Sequence, residues 1–313
     1  MKKSLFVLGV AVAALASCTQ SEVVDIAESN AIKFDAFVGN PTKAVTEVDN
    51  DNIKAFHVYG TKNSGTTTDF FNGDQVYESG TPNVWIYDDL KTWEESQTYT
   101  FAAYSNGGVK GSASTSNVEW NGSNLTISGY NAGTEQKDLL VSIASNAGAV
   151  ASQNDPVQFS FVHALALIKF TIKSDLGDDA NAVTISEFTV KNINSIADLT
   201  YSSGSVTWTN HETPQDLSSA NFTTTSSEPG ESESFAVIPG ESNVSFTVSF
   251  KAKIGTDGTE KTLTATINNQ NWTAGYRYNY VATITGADMD VITFADPTVT
   301  PWQEWGNNDF DID

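Results

Sequence analysis

The chain has 313 residues, of which 39% are hydrophobic and 11% aromatic, with 38 acidic against 16 basic side chains, one cysteine and a formal net charge of -22. That length and apolar content suit about two domains with cores of their own and exclude a disordered chain. The charge disfavours nucleic acid as a partner, and a single cysteine excludes an internal disulfide or a thiolate zinc site, so no cofactor is expected.

In chain order, Lys2 and Lys3 precede an apolar run from Leu5 to Ala16, and Leu15-Ala16-Ser17-Cys18 follows at once. The run is shorter than the ~20 residues a membrane-spanning helix needs, so residues 1–17 read as a signal peptide. Small residues before the lone cysteine resemble the lipobox of bacterial lipoproteins and make Cys18 the expected site of lipid attachment, the acyl chains holding the protein to the membrane. Residues 18–30 form a polar tether.

Alternation begins at Ile32, Phe34, Ala36 and Val38, which share one face of a predicted strand. Further strands are expected at Ile53 to Tyr59, Val84 to Tyr87, Thr98 to Tyr104, Leu125 to Tyr130 and Leu139 to Ile143. Clusters such as Asn72-Gly73-Asp74 and Asn121-Gly122 separate them as turns. Small and polar residues between Asn146 and Pro156 place a domain boundary there, dividing the chain into 31–150 and 156–313.

The second part is more strongly periodic. Val157, Phe159 and Phe161 alternate. Ala164, Ala166, Ile168, Phe170 and Ile172 then share one face, and Leu165, Leu167 and Lys169 the other. Apolar character on both faces predicts a central strand. Val244 to Ala252, Leu263 to Ile267 and Tyr276 to Ile284 repeat the period, while Ser174 to Asp179 and Ser202 to Gly230 read as surface loops. The fold class is all-β, each half a sandwich of short strands.

Chemistry-bearing patterns are sparse. His57, His163 and His211 are far apart, and His163, inside an alternating strand, reads as a hydrogen-bonded core residue. No nucleophile elbow, phosphate loop or zinc-binding helix motif occurs, so no catalytic residue is expected. Trp85, Trp93 and Trp120 allow a second reading: exposed together, they would form the platform of a glycan-binding surface lipoprotein feeding a polysaccharide uptake system.

The lipobox, Pro41-Thr42-Lys43-Ala44, Lys137-Asp138-Leu139-Leu140-Val141, Val157-x-Phe159-x-Phe161-x-His163, Trp272-x-x-Gly275-x-x-Tyr278-x-Tyr280 and Val299-Thr300-Pro301-Trp302, in that order, resemble the fimbrillins, the type V pilins of Bacteroidales and their accessory subunits. The resemblance implies two tandem transthyretin-like β-sandwich domains, a lipidated surface precursor and assembly into fimbriae with other fimbrillin subunits, with adhesion to host or bacterial surface ligands. It also implies proteolytic removal of an N-terminal segment, here between Lys43 and Ala44. That would carry off the strand with Ile32, Phe34, Ala36 and Val38, whose groove a strand of another subunit then fills. The family's arginine-directed cleavage finds Thr42-Lys43-Ala44 in this chain, whose single arginine is Arg277. Pro297 and Pro301 keep the C-terminal segment bearing Val291, Ile292, Phe294 and Trp302 out of a sheet centre, so it is either the candidate donor strand or an edge strand completing the second sandwich of its own chain.

Overall fold

The computed structural model describes residues 30–38, 53–62, 69–94, 97–115, 117–144, 155–176, 182–285 and 292–302. Its first half carries β1 (Phe34–Val38), β2 (Ala55–Lys62), β3 (Asp69–Glu78), β4 (Trp85–Ile86), β5 (Tyr99–Ser105), β6 (Val118–Trp120), β7 (Asn124–Asn131), the one-turn helix α1 (Ala132–Glu135) and β8 (Leu140–Ile143). Then follow β9 (Val157–His163), β10 (Ala166–Ser174), β11 (Val183–Ser202), β12 (Ser205–Ser218), β13 (Phe222–Thr224), β14 (Gly230–Glu231) and β15 (Phe235–Val237). The last are β16 (Val244–Ile254), β17 (Lys261–Gln270), β18 (Tyr276–Ile284) and β19 (Thr298–Pro301). The all-β class expected from the alternation is what the chain adopts.

Three sheets result. The first runs β1-β9-β8-β5-β2-β3-β4, the second β14-β10-β18-β19 with β15 also on β10, and the third β17-β16-β11-β7-β6 with β12 and β13 also on β11. Strand pairing crosses the stretch between 146 and 156. β9 pairs with β8 through Leu140↔His163 and Val141↔Val162, so that stretch links neighbours within the first sheet. In the other direction, β6 and β7 leave the first half to extend the third sheet, β7 lying along β11 from Asn131↔Ile196 to Asn124↔Ser202. A turn-rich stretch marks a reversal of the chain equally well whether the next strand returns to the same sheet or starts another.

The 20-residue β11 ties the sheets together, and local alternation does not reveal it. Its buried positions are Val183 and Ile185, then Phe188 and Val190, then Ile193, Ala197, Leu199 and Tyr201, so the phase slips by one residue twice. The slips fall at Glu187 and Asn192, both with positive φ (51° and 67°), where the pairing registers also shift. Each is a bulge that re-aims the side chains after it, and a strict period-two reading breaks there. The expected loop from Ser202 to Gly230 is likewise corrected: about half of it is β12, an outer strand whose only buried large apolar residues are Trp208 and Leu217. A strand wet on both faces has a composition like that of a loop.

Three apolar clusters form. Sheets two and three enclose one around Ile168, Phe170, Phe188, Phe246, Phe250 and Tyr280. A second joins the first sheet to the rest through Tyr104, Val141, Leu165, Leu199, Trp208 and Trp302. The third lines the opposite face of the first sheet with Phe34, Phe56, Phe71, Phe101 and Phe159. Gly60 serves that cluster: a Cβ there would fall 2.7 Å from the Phe101 ring, so the strand crossing needs glycine. As its two apolar faces predicted, β10 is central, flanked by β18 on one side and by β14 and β15 on the other.

Candidate functional site

β1 occupies one edge of the first sheet, parallel to β9, with register from Phe34↔Val157 to Val38↔Phe161. Ile32 and Val38 are fully buried and Phe34 nearly so, Ala36 is half-buried, and Phe37 points to solvent at 57% exposure. This is the alternation the sequence predicted. The Phe34 ring sits among Phe71 (5.2 Å between centroids), Tyr87 (5.6 Å), Phe101 (5.7 Å) and Phe159 (5.8 Å). Burying Ile32, Phe34 and Val38 contributes roughly 1.5–3 kcal/mol each.

A second wall, not foreseen from the sequence, closes the groove from the loop after β4. The Ile32 amide donates to the Lys91 carbonyl (2.8 Å), the Trp93 amide to the Asn30 carbonyl (3.1 Å), and Ala31 forms an antiparallel bridge with Thr92. The Tyr87 hydroxyl donates to the Ile32 carbonyl at 2.7 Å and receives the Lys91 amide at 3.3 Å. Burial pushes the Tyr87 phenol up to about 12, so it keeps the proton it donates. No local pattern signals this pairing, since its partners are about 60 residues apart and Tyr87 lies just beyond the short β4.

The C-terminal candidates lie within their own chain's fold. Ile292 is buried in the cluster between sheets two and three, and Phe294 packs edge-on against Phe170 (5.6 Å). β19 adds to the second sheet beside β18, antiparallel, through Tyr278↔Val299 and three further pairs. Its strand face is mostly exposed, Val299 at 47%, but Trp302 just after it is 1% exposed. The Trp302 amide donates to the Gly275 carbonyl (2.7 Å), and its ring stacks on His163 at 4.4 Å and 8°. His163 in turn is bonded through Nδ1 to the buried Asp138 carboxylate (2.8 Å), the core role expected of it. Cys18, Lys43, Ala44 and Val291 lie outside the described residues.

The other candidates do not converge. His57 hydrogen-bonds the Gly73 carbonyl and His211 the Pro239 carbonyl, far from the His163–Asp138 pair in sequence and on different partners. Among the described residues no three histidine, cysteine, aspartate or glutamate side chains gather as a metal cluster. The tryptophan platform is not formed: Trp93 is buried and Trp85 half-buried in the cluster under β1, while Trp120 is buried in the cluster that joins the sheets. Among the described residues no helix is long and apolar enough to cross a membrane.

A family model described as fimbrillin-like matches residues 42–302. No curated protein matches the chain. Among solved structures the fold is similar to that of a fimbrial protein from Bacteroides vulgatus, with a TM-score of 0.56, 16% identity and coverage of 87% of this chain and 99% of that one. It is also similar to a candidate cell adhesion protein from Bacteroides ovatus (TM-score 0.59, 16% identity, 87% and 97% coverage) and to one from Bacteroides uniformis (0.51, 19%, 87% and 98%).

Proposed function

The chain belongs to the fimbrillin-like family, and we propose that it is a structural or accessory pilus subunit, held at the outer-membrane surface through acylated Cys18 and joined to other subunits by strand addition. One observation carries this reading: β1 is an edge strand whose apolar face fills a long aromatic groove. The Lys43–Ala44 bond lies between β1 and β2 in the chain, so cutting it would leave β1 attached to its sheet by non-covalent contacts alone. Departure of the segment would expose the β9 edge, the Lys91 carbonyl and the Phe71, Phe101 and Phe159 side chains. An incoming strand with alternating apolar residues would satisfy both the backbone groups and the pockets. The protein's part is recognition and assembly rather than catalysis, with adhesion to surface ligands following from its place in the fibre. The working division of the chain is one unit built on the first sheet, with Val157–His163 included, and one built on the other two sheets.

Mass spectrometry of the N-terminus of the cell-surface form tests the proposal. A polymerised structural subunit begins at Ala44, and an accessory or anchoring subunit keeps acyl-Cys18. Cys18→Ala should remove the chain from the outer-membrane fraction, and unchanged labelling of that variant by a palmitate analogue would refute lipid attachment. Absence of the chain from purified fimbriae of the producing cells would overturn the assignment itself.

A further inference from the structure

Among the described residues, β17 is hydrogen-bonded on one side only, to β16. Its ladder is regular over seven consecutive pairs, from Lys261↔Ala252 to Ile267↔Phe246; only beyond Ile267 does the register shift, with left-handed backbone at Asn269. An edge of that length and flatness is a ready template for another strand, and proteins usually guard such edges. This molecule guards its others. β4 and β14 are two residues long, β6 and β13 three, and β19 is four with Pro301 at its end. The long β12 carries Pro214, two register shifts against β11, and left-handed backbone at Asn210 and Thr213. In contrast, β17 has no proline, glycine or carboxylate, and its one charge is Lys261 at the end of the strand.

The order of residues along β17 narrows the occupant. Read outward from Ala265, Thr264 and Thr266 are identical, Leu263 and Ile267 are both apolar, and Thr262 and Asn268 are both polar and uncharged. The pattern is close to a palindrome. An antiparallel two-fold pairing centred on Ala265 therefore sets threonine beside threonine on the exposed face and Leu263 beside Ile267 of the second copy on the face turned toward the core. Two copies with a net charge of -22 each repel over most of their surface, and this edge lets backbones approach without bringing carboxylates together. The nearby Glu187 and Glu260 are already paired with Lys251.

We infer that the outer edge of β17 is a two-fold pairing surface for a second copy of this chain. It joins two subunits through their third sheets. The inference goes beyond strand addition and does not depend on it, since β1 and β19 belong to the other two sheets.

Thiol cross-linking of the full-length chain on cells tests it. Ala265→Cys places two thiols across the axis, with Cβ atoms about 5 Å apart. Thr262→Cys places them six strand positions apart, about 20 Å at ~3.3 Å per residue. A mild oxidant, which joins thiols that meet directly, should convert most of the Ala265→Cys chain to twice its mass and leave Thr262→Cys and the unsubstituted chain, which retains Cys18, monomeric. Thr264→Asp with Thr266→Asp, added to Ala265→Cys, sets acids opposite each other across the pair while leaving them solvated in one chain. That variant should lose the cross-link with its melting temperature unchanged. No dimer from a folded Ala265→Cys protein, equal cross-linking of Thr262→Cys, a ladder of higher multiples or a product joined to a different protein would each overturn the two-fold pairing.

Discussion

The two terminal strands are both edge strands, and they are held in different ways. β1 is gripped along its length: Ile32, Phe34 and Val38 alternate into one aromatic cluster, β9 pairs with the strand on one side, and the loop at Lys91–Trp93 holds residues 30–32 just before it. β19 exposes most of its face; besides its backbone pairing with β18, its side-chain anchor is Trp302, which stacks on His163. A strand bound by a row of pockets can be replaced by any strand with the same alternation, because its affinity is spread over repeated positions. A strand anchored through one buried tryptophan lacks such a row, and its exchange would require Trp302 to leave its stack on His163.

The largest expected effect tests the grip on β1. Phe34→Ala removes the ring at the centre of the cluster and should cost about 3–5 kcal/mol, as large-to-small aromatic core changes do. The check is a thermal or urea melt with limited proteolysis of the N-terminal segment. A change under about 1 kcal/mol would mean β1 is held by backbone pairing alone. Next, Trp302→Phe keeps an aromatic face for His163 but shortens the plug, at roughly 1–2 kcal/mol. Cleavage by carboxypeptidase should then extend into β19 while β1 stays protected. Loss of protection at β1 as well would show that the two termini are coupled and would dissolve the contrast.

The smallest effect concerns the wall of the groove. Tyr87→Phe deletes the donor to the Ile32 carbonyl and should cost about 0.5–1.5 kcal/mol at neutral pH. Because the folded-state value is raised to about 12 against the ordinary 10, Tyr87's contribution is fully present below pH 10 and is lost as pH rises toward 12. The stability difference between the wild type and Tyr87→Phe should therefore shrink across that window. A difference independent of pH from 9 to 12 would show that Tyr87 does not keep its proton on burial.

The strand at Ile32–Val38, the paired faces of Ala166–Ser174 and the core role of His163 were all legible in the sequence, since each depends on alternation or on composition within a few residues. The fimbrillin-like motifs were legible for the same reason. β11 was hidden by two bulges, and β12 by its solvated faces. The wall formed by Tyr87, Lys91 and Trp93 left no sequence signal, because its partners are brought together only when the first sheet closes.

By itself, then, the sequence determined the all-β class, the order of most strands and which side of each carries apolar groups. Side chains on a strand must alternate whatever the strand pairs with. Only the tertiary structure decided that Val157–His163 returns to the first sheet, that β6 and β7 cross to the third, that Trp85, Trp93 and Trp120 pack inward, and that Trp302 rests on His163. Strand edges offer the same backbone donors and acceptors to every candidate partner. The choice among partners falls to packing between residues far apart in the chain, and that packing exists only once the sheets are assembled.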